Sequence, residues 1–466
     1  MKKLFVLVVV SIVLVLGLAA CGGNDQGGGG GAAATTEEGG LTGTLRIWSF
    51  TPEAHVQALA FQSMHPGVEI DFQLTGIDGT TYQDWVMTSL AAGGSGVPDI
   101  IFLEASHARL FVEGPFLADL SHLLPLAREI ETYQFTIDMG TYAGEVRAFS
   151  WQATPGVMYF RRSLALEFFG TDDPDQLQNY FRDMDTFMDS ARRIRDMSGG
   201  TAFVVGSAAE FDNIFLANRT SPWIVDNRLV ICPIMMDKFT FSRTLREEGL
   251  EARIDTWSDG WFASMIDNFH DMDGNQNHVF AYLLPTWGLT HVIQGNAAQT
   301  SGDWGIIPGP MPYFGGGTWM GVTRASNNPE LAEAFIRYTV LNEQFLTNWA
   351  LGVYTNEYLA AVDPSIPAGL FQGGGDFVSS DRVVRALTPE FNTGAAVDFL
   401  GGQNPYAAFA QVAGNVDLSR IQGTDGLIAE AFFAARDLYV DGLATIEEAL
   451  QSFKDSLSMS IPTLDW

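Results

Sequence analysis

The sequence predicts an α/β fold built on a parallel sheet, and three observations carry that prediction. Val68-Glu69-Ile70-Asp71-Phe72-Gln73-Leu74 alternates apolar and polar residues throughout, the pattern of a strand with one buried face. Ile100-Ile101-Phe102-Leu103 is an unbroken apolar run of the kind carried by a strand covered on both faces. Helical stretches separate the strands, and parallel strands need such crossovers.

In chain order, Leu45-Arg46-Ile47-Trp48 is the first strand. Pro52 to Met64 then reads as a helix, with Ala54, Leu59 and Phe61 among polar neighbours, and Tyr82 to Ala92 reads as a second. Gly93-Gly94-Ser95-Gly96 is a helix-end loop rather than a phosphate cradle, because no basic residue adjoins it. Gly156 to Phe160 is another strand, and Tyr180 to Asp196 a helix exposing Arg192, Arg193 and Arg195. Asn328 caps a helix that has Pro329 at its first position and Leu331, Ala334, Phe335 and Tyr338 on one face. Thr445-Ile446-Glu447-Glu448 is a capping box with Ile446, Leu450, Phe453 and Leu457 behind it, so the C-terminal third is mostly helical.

Composition narrows the function classes. With 466 residues, 47% hydrophobic and 17% charged, the chain has enough apolar side chain for two or three packing units. Its 25 basic against 55 acidic residues give a formal charge of -30, a surface that repels phosphate backbones, so no nucleic acid is expected as partner. Residues 1–21 run from Lys2-Lys3 through an apolar stretch to Cys21, the pattern of an export signal. Leu18-Ala19-Ala20-Cys21 resembles a bacterial lipobox, cut before a cysteine that then receives lipid; an uncleaved anchor is the alternative. Either way the chain is expected outside the cytoplasm, extracellular or periplasmic, held to a membrane. Residues 22–43 form a Gly-rich tether with a reach of about 25 Å. Cys232 is then the remaining thiol and reads as a small buried hydrophobe. No internal repeat and no second linker is visible after residue 44, so a second lobe has to be interwoven with the first.

These residues add up to a resemblance. "TLRIWSF", "FQSMHPGVEIDFQ", "SLAAGGSGVPDIIFLEASHARLFVEGPFLADLSHLL", "GEVRAFSWQATPGVMYFRR" and "DWGIIPGPMPYFGGGTWMGVTRASNNPELAEAFIRYTV" occur in an order that resembles the family 1 extracellular solute-binding proteins. These are the substrate-capturing lipoproteins of sugar-importing ABC systems, similar in layout to maltose-binding protein. The resemblance implies a two-lobed, periplasmic-binding-protein-like (type II) fold, each lobe a sheet flanked by helices, joined by crossing hinge strands. It places one lobe at 44–150 plus 300–343 and the other at 151–299 plus 344–466. It further implies a monomer that binds a mono- or oligosaccharide, hands it to permease subunits, needs no cofactor and is anchored through lipid on Cys21. One departure is Glu104, Ser106 and His107, where the maltose binder has an aspartate-arginine pair.

Sugar capture needs flat aromatic faces for the C–H side of a pyranose and fixed polar groups for its hydroxyls. The chain has eleven Trp. By the resemblance, Trp287 sits at a sugar-stacking position, Trp151 and Gln152 fall on one inter-lobe crossing, and Trp319 follows Gly315-Gly316-Gly317 near the second. Gln403, Asn404 and Tyr406 match the last ligand-facing loop. Glu104 and His107 lie just after a parallel strand, where open α/β sheets place ligands. Signatures of zinc proteases, P-loop proteins and serine hydrolases are absent, and no catalytic or metal site is expected. Asp271-Met272-Asp273-Gly274-Asn275 reads as a polar turn rather than a calcium loop, because Phe280 stands where the last ligand belongs. A secreted glycoside hydrolase, a non-sugar solute and a sensor remain as alternatives.

Overall fold

The computed structural model describes residues 40–75, 81–94, 96–271, 273–364 and 376–465. The expected leader with Cys21, and residues 22–39 of the tether, lie outside the described residues. Seven strands of four or more residues organise what is described: β1 (Thr42–Ser49), β2 (Gly67–Leu74), β3 (Ile100–Glu104), β4 (Gly156–Arg161), β5 (Ala281–Pro285), β6 (Trp304–Ile307) and β7 (Thr318–Val322). Among the described residues the first strand thus starts at Thr42, two residues ahead of the expected edge at 44.

The first sheet has the order β7-β3-β1-β2. β1 is parallel to β2 and β3, and helices Glu53–Met64 and Thr81–Ala92 make the crossovers. β7 is antiparallel to β3, so the sheet is parallel in three strands and reversed at one edge. Asp99 ties this sheet together from a buried position. Its carboxylate accepts the Arg46 N–H at 2.9 Å, the Ser326 hydroxyl at 2.6 Å and the Asn327 N–H at 3.1 Å. Asn328 does not cap helix Pro329–Val340 as expected; its side-chain amide donates instead to the Thr44 carbonyl at 3.0 Å.

The second sheet, β5-β4-β6, is antiparallel and buried on both faces. Alternate side chains of a strand point to opposite faces, and here the faces belong to two apolar cores. Val157 and Tyr159, Tyr282 and Leu284, and Trp304 and Ile306 join the first core, which reaches to β1–β3. Met158 and Phe160, Ala281 and Leu283, and Ile307 join the second, with Phe187, Phe211, Phe239, Phe432 and Phe453. The Phe160 ring lies so close to β6 that a Cβ on Gly305 would stand 2.5 Å from it. Because β6 pairs with β4, residues 304–307 belong with the second sheet and not with the first lobe, where the expected boundary at 300 put them.

Three segments pass between the sheets side by side. Residues 149–155 bridge to Met320 and Phe314 on one side and to Val378 on the other. The Gly315 N–H donates to the Thr154 carbonyl at 3.1 Å, and the Ala153 N–H to the Phe377 carbonyl at 2.8 Å.

Elsewhere local chemistry sets the helix ends. The helix expected from Tyr180 starts at Met184, because Asp183 accepts the Thr186 N–H at 2.8 Å in a capping box. Of its arginines, Arg192 pairs with Glu248 at 2.7 Å and Arg193 donates to the Phe168 carbonyl. The capping box at Thr445 forms as expected and opens helix Ile446–Ser460. Cys232 is buried and free. Among the described residues no helix is long and apolar enough to cross a membrane.

Phe160→Ala should cost about 3–5 kcal/mol in urea unfolding, the usual penalty for emptying a phenylalanine site. A loss under about 1 kcal/mol would remove this ring from the core.

Candidate functional site

The glycine run that leads into β7 separates two cavities. The first, of about 300 Å³, lies between the two cores. Its wall takes Ala105 and Leu418 from the first core, and Leu216 and Ala217, which pack against the second. Glu104 and Ser106 reach it from the carboxyl end of β3, where a parallel strand hands over to helix Ala105–Glu113. Asn213 and Arg219 approach from helix Asp212–Ala217 and the turn beyond it.

Each arginine in this wall has a carboxylate partner: Arg109 with Glu113 at 2.9 Å, Arg219 with Asp425, and Arg420 with Asp417. Arg219 is only 5% exposed, and burial raises the Asp425 carboxyl above its ordinary value while the guanidinium opposes the rise. Nη1 of Arg219 and Oδ1 of Asp425 are buried without a hydrogen-bond partner among the described residues. Asn213 presents an exposed amide that bonds to no described residue; its nitrogen stands 3.6 Å from where a Cβ on Gly315 would be. Phe314, Leu216 and Ile421 supply apolar surface. The lining therefore has balanced charge, a free amide and flat apolar patches.

The second cavity, of about 230 Å³, is walled by residues of the first core and includes Glu53, Trp287, Asp376 and Tyr406. Oε2 of Glu53 has no hydrogen-bond partner among the described residues, and burial, with Asp376 adding, pushes the carboxyl up to about 7. The Trp287 N–H donates to the Gly315 carbonyl at 2.9 Å, so the indole braces the strip between the cavities. Gly316 has φ 63°, a left-handed conformation, and a Cβ there would press on Trp287 Nε1 at 3.1 Å.

The expected site residues divide. Glu104 lines the first cavity and accepts the Ser106 N–H at 2.7 Å. His107 lies beside it, with Nδ1 2.6 Å from the Ser106 hydroxyl, but lines neither cavity. Trp287 and Tyr406 line the second, Tyr406 as a buried ring stacked on Phe391 at 3.9 Å. Trp151 and Trp319 are each 1% exposed and are core residues: their indole N–H groups donate to Asp376 at 3.2 Å and to the Thr136 carbonyl at 2.8 Å, leaving no free ring face. Gln152 bridges to Val378 in the crossing. Gln403 clamps the Ile306 backbone, accepting its N–H and donating to its carbonyl at 2.7 Å each, which occupies both ends of its amide. Sequence reasoning missed Asn213, Arg219, Asp425 and Glu53; a buried ion pair formed 206 residues apart leaves no local signal. The Asp271 turn is held by its own bonds, with Oδ1 accepting the N–H groups of Asp273 and Asn275.

The sequence pattern of the bacterial extracellular solute-binding proteins matches residues 48–344. No curated relative matches the sequence. Among solved structures the chain is similar to a family 1 extracellular solute-binding protein at 18% identity and a TM-score of 0.71, covering 89% of this chain and 98% of that one. It is also similar to the galacto-N-biose-/lacto-N-biose I-binding protein of Bifidobacterium longum in complex with lacto-N-biose, at 14% identity and 0.64, covering 92% and 98%. The sugar-binding protein MalE of Xanthomonas citri matches at 14% and 0.64, covering 88% and 95%. At these identities the likeness is one of fold, the two-lobed architecture of periplasmic binding proteins.

The raised Glu53 carboxyl gives a signed pH dependence. A carboxyl held above its ordinary value of 4.5 stabilises the fold below that pH, and the contribution is lost as pH rises through about 7. Urea unfolding should therefore show the native chain losing stability relative to Glu53→Gln across that window. Parallel pH profiles would show that Glu53 ionises normally.

Proposed function

The chain belongs to the bacterial extracellular solute-binding proteins, and on that premise we propose that it captures a sugar in the inter-core cavity and delivers it to the permease of an ABC importer. One observation carries this reading: the wall there has its charges already matched, while the Asn213 amide is unpaired beside apolar faces. Such a surface suits a neutral polyhydroxylated guest, since an isomer that leaves a buried polar group unpaired is penalised by about 1–3 kcal/mol. The carbohydrate complex of a protein with the same fold adds support.

The mechanism is a population shift. Contacts from both sides of the cavity exist together only when the lobes close, so the sugar favours closure by its differential affinity for that state. The lobes are residues 44–150 with the strand entered through Gly315–Gly317 and the helices of 329–362, which pack on helix Glu53–Met64, and most of 151–307 with helices Asp425–Val440 and Ile446–Ser460. The crossing segments 149–155, 314–320 and 376–380 act as the hinge. Lipid on Cys21 and the Gly-rich tether keep this monomeric clamp at the outer face of a membrane. No bond of the sugar is made or broken.

Purified residues 22–466 should gain thermal stability with one sugar from a panel of mono- and oligosaccharides, because a ligand that binds only the native state raises apparent stability. Chromatography should return that sugar unaltered; cleavage products would instead identify a hydrolase. Asn213→Ala should weaken binding at least tenfold, about 1.4 kcal/mol. Unchanged affinity would move the site away from this cavity.

A further inference from the structure

The second cavity holds groups that the sugar reading does not use. Two carboxylates line it from distant parts of the chain, Glu53 from the start of helix Glu53–Met64 and Asp376 from the third crossing segment. Oε2 of Glu53 is buried and takes no hydrogen bond from a described residue. Asp376 receives the indole N–H groups of Trp151 and Trp349 on Oδ2, and no described donor reaches its Oδ1. Much of the remaining wall is aromatic, with Trp287, Phe391 and Tyr406. Among the described residues no Lys or Arg lines this cavity, and His291, the basic side chain at its edge, is exposed.

These groups narrow the guest. A buried carboxyl without a partner either keeps its proton or takes a cation. An anion would meet two carboxylates and no counter-charge. A metal ion would want more oxygen ligands than two carboxylates among rings that supply none, and among the described residues no group of three or more His, Cys, Asp or Glu could hold one. An ammonium group suits both halves of the wall: carboxylates answer its charge, and aromatic faces attract a cation through the ring quadrupole. The volume of about 230 Å³ is below the roughly 300–1,000 Å³ of sites for drug-sized ligands, so the guest is small.

The geometry points to the second cavity as a binding site for a small organic cation, its ammonium group held by the Glu53 and Asp376 carboxylates against the aromatic wall. This site is separate from the inter-core cavity, across the glycine strip that the Trp287 indole braces, and it stands whether or not that cavity takes a sugar. A bound ammonium favours the ionised form of Glu53, whose carboxyl burial otherwise pushes up to about 7. The positive nitrogen can be carried by a free amine or by an amino sugar.

The test is calorimetric titration of the native protein at about pH 8, above the Glu53 value of about 7, in about 150 mM salt to screen the acidic surface. Three amines are each paired with a neutral counterpart: choline with 3,3-dimethyl-1-butanol, putrescine with 1,4-butanediol, and glucosamine with glucose. At least one amine should bind about tenfold or more tighter than its counterpart. Preference for choline or putrescine assigns a free amine, and preference for glucosamine an amine carried on a sugar. Glu53→Gln should bring the preference to within about twofold, and Phe391→Leu should lower it at least about threefold. Glu129→Gln, which removes an exposed carboxylate elsewhere, should leave it in place. Thermal unfolding checks that the variants fold. A native protein that binds no amine, or binds amine and neutral counterpart alike, would overturn the site without touching the sugar reading. So would a preference unchanged in Glu53→Gln or Phe391→Leu, an equal loss in Glu129→Gln, or calcium chloride binding in place of the amines.

Discussion

Where the chain passes between its two sheets, a single carboxylate oxygen joins three elements. Oδ2 of Asp376, on the third crossing segment, accepts the indole N–H of Trp151 on the first crossing at 3.2 Å and of Trp349 from helix Glu343–Ala350 at 2.9 Å. Donors aimed at an ionised acceptor make stronger bonds than neutral pairs, and the two rings meet edge to face at 6.2 Å. The crossing is thereby fixed in register before any solute arrives. Both cavities depend on it, since the glycine strip between them is bonded to the same first crossing through Thr154.

Charge is divided between interior and surface. The chain carries few cations, and many of them work indoors. Arg161 bonds Asp267 at 2.8 Å and Asp303 at 2.7 Å, and Arg436 pairs with Asp212. Lys238, fully buried, also reaches Asp212, at 2.9 Å, and burial pulls its ammonium down to about 8 although the aspartate opposes the change. The excess of acid is left for the surface, where it repels polyanions, while the inter-core cavity keeps its arginines matched.

Sequence patterning made the elements legible wherever a rule acts over a few residues. The alternation of 68–74, the apolar run at 100–103 and the box at Thr445 each rest on contacts within one turn or one pleat. Asn328 shows where such reasoning ends: the residue type suits a cap, but a strand 284 residues away offered its amide a better acceptor. The tryptophans show it again. A flat ring can line a sugar site or fill a core, and the choice between them lies in tertiary packing. Trp151 and Trp319 went to the core because carbonyl and carboxylate acceptors were waiting there.

The sheet with two buried faces carries a consequence for how the molecule moves. Sliding β4 by one residue would send Met158 and Phe160 into the space shaped for Val157 and Tyr159, and the reverse, so both cores would reject the slip together. A strand interrogated from both sides behaves as a rigid reference frame. Any bending between the two sheets is then left to the narrow ribbon of backbone outside it, and the proposed clamp would return each time to the same jaw.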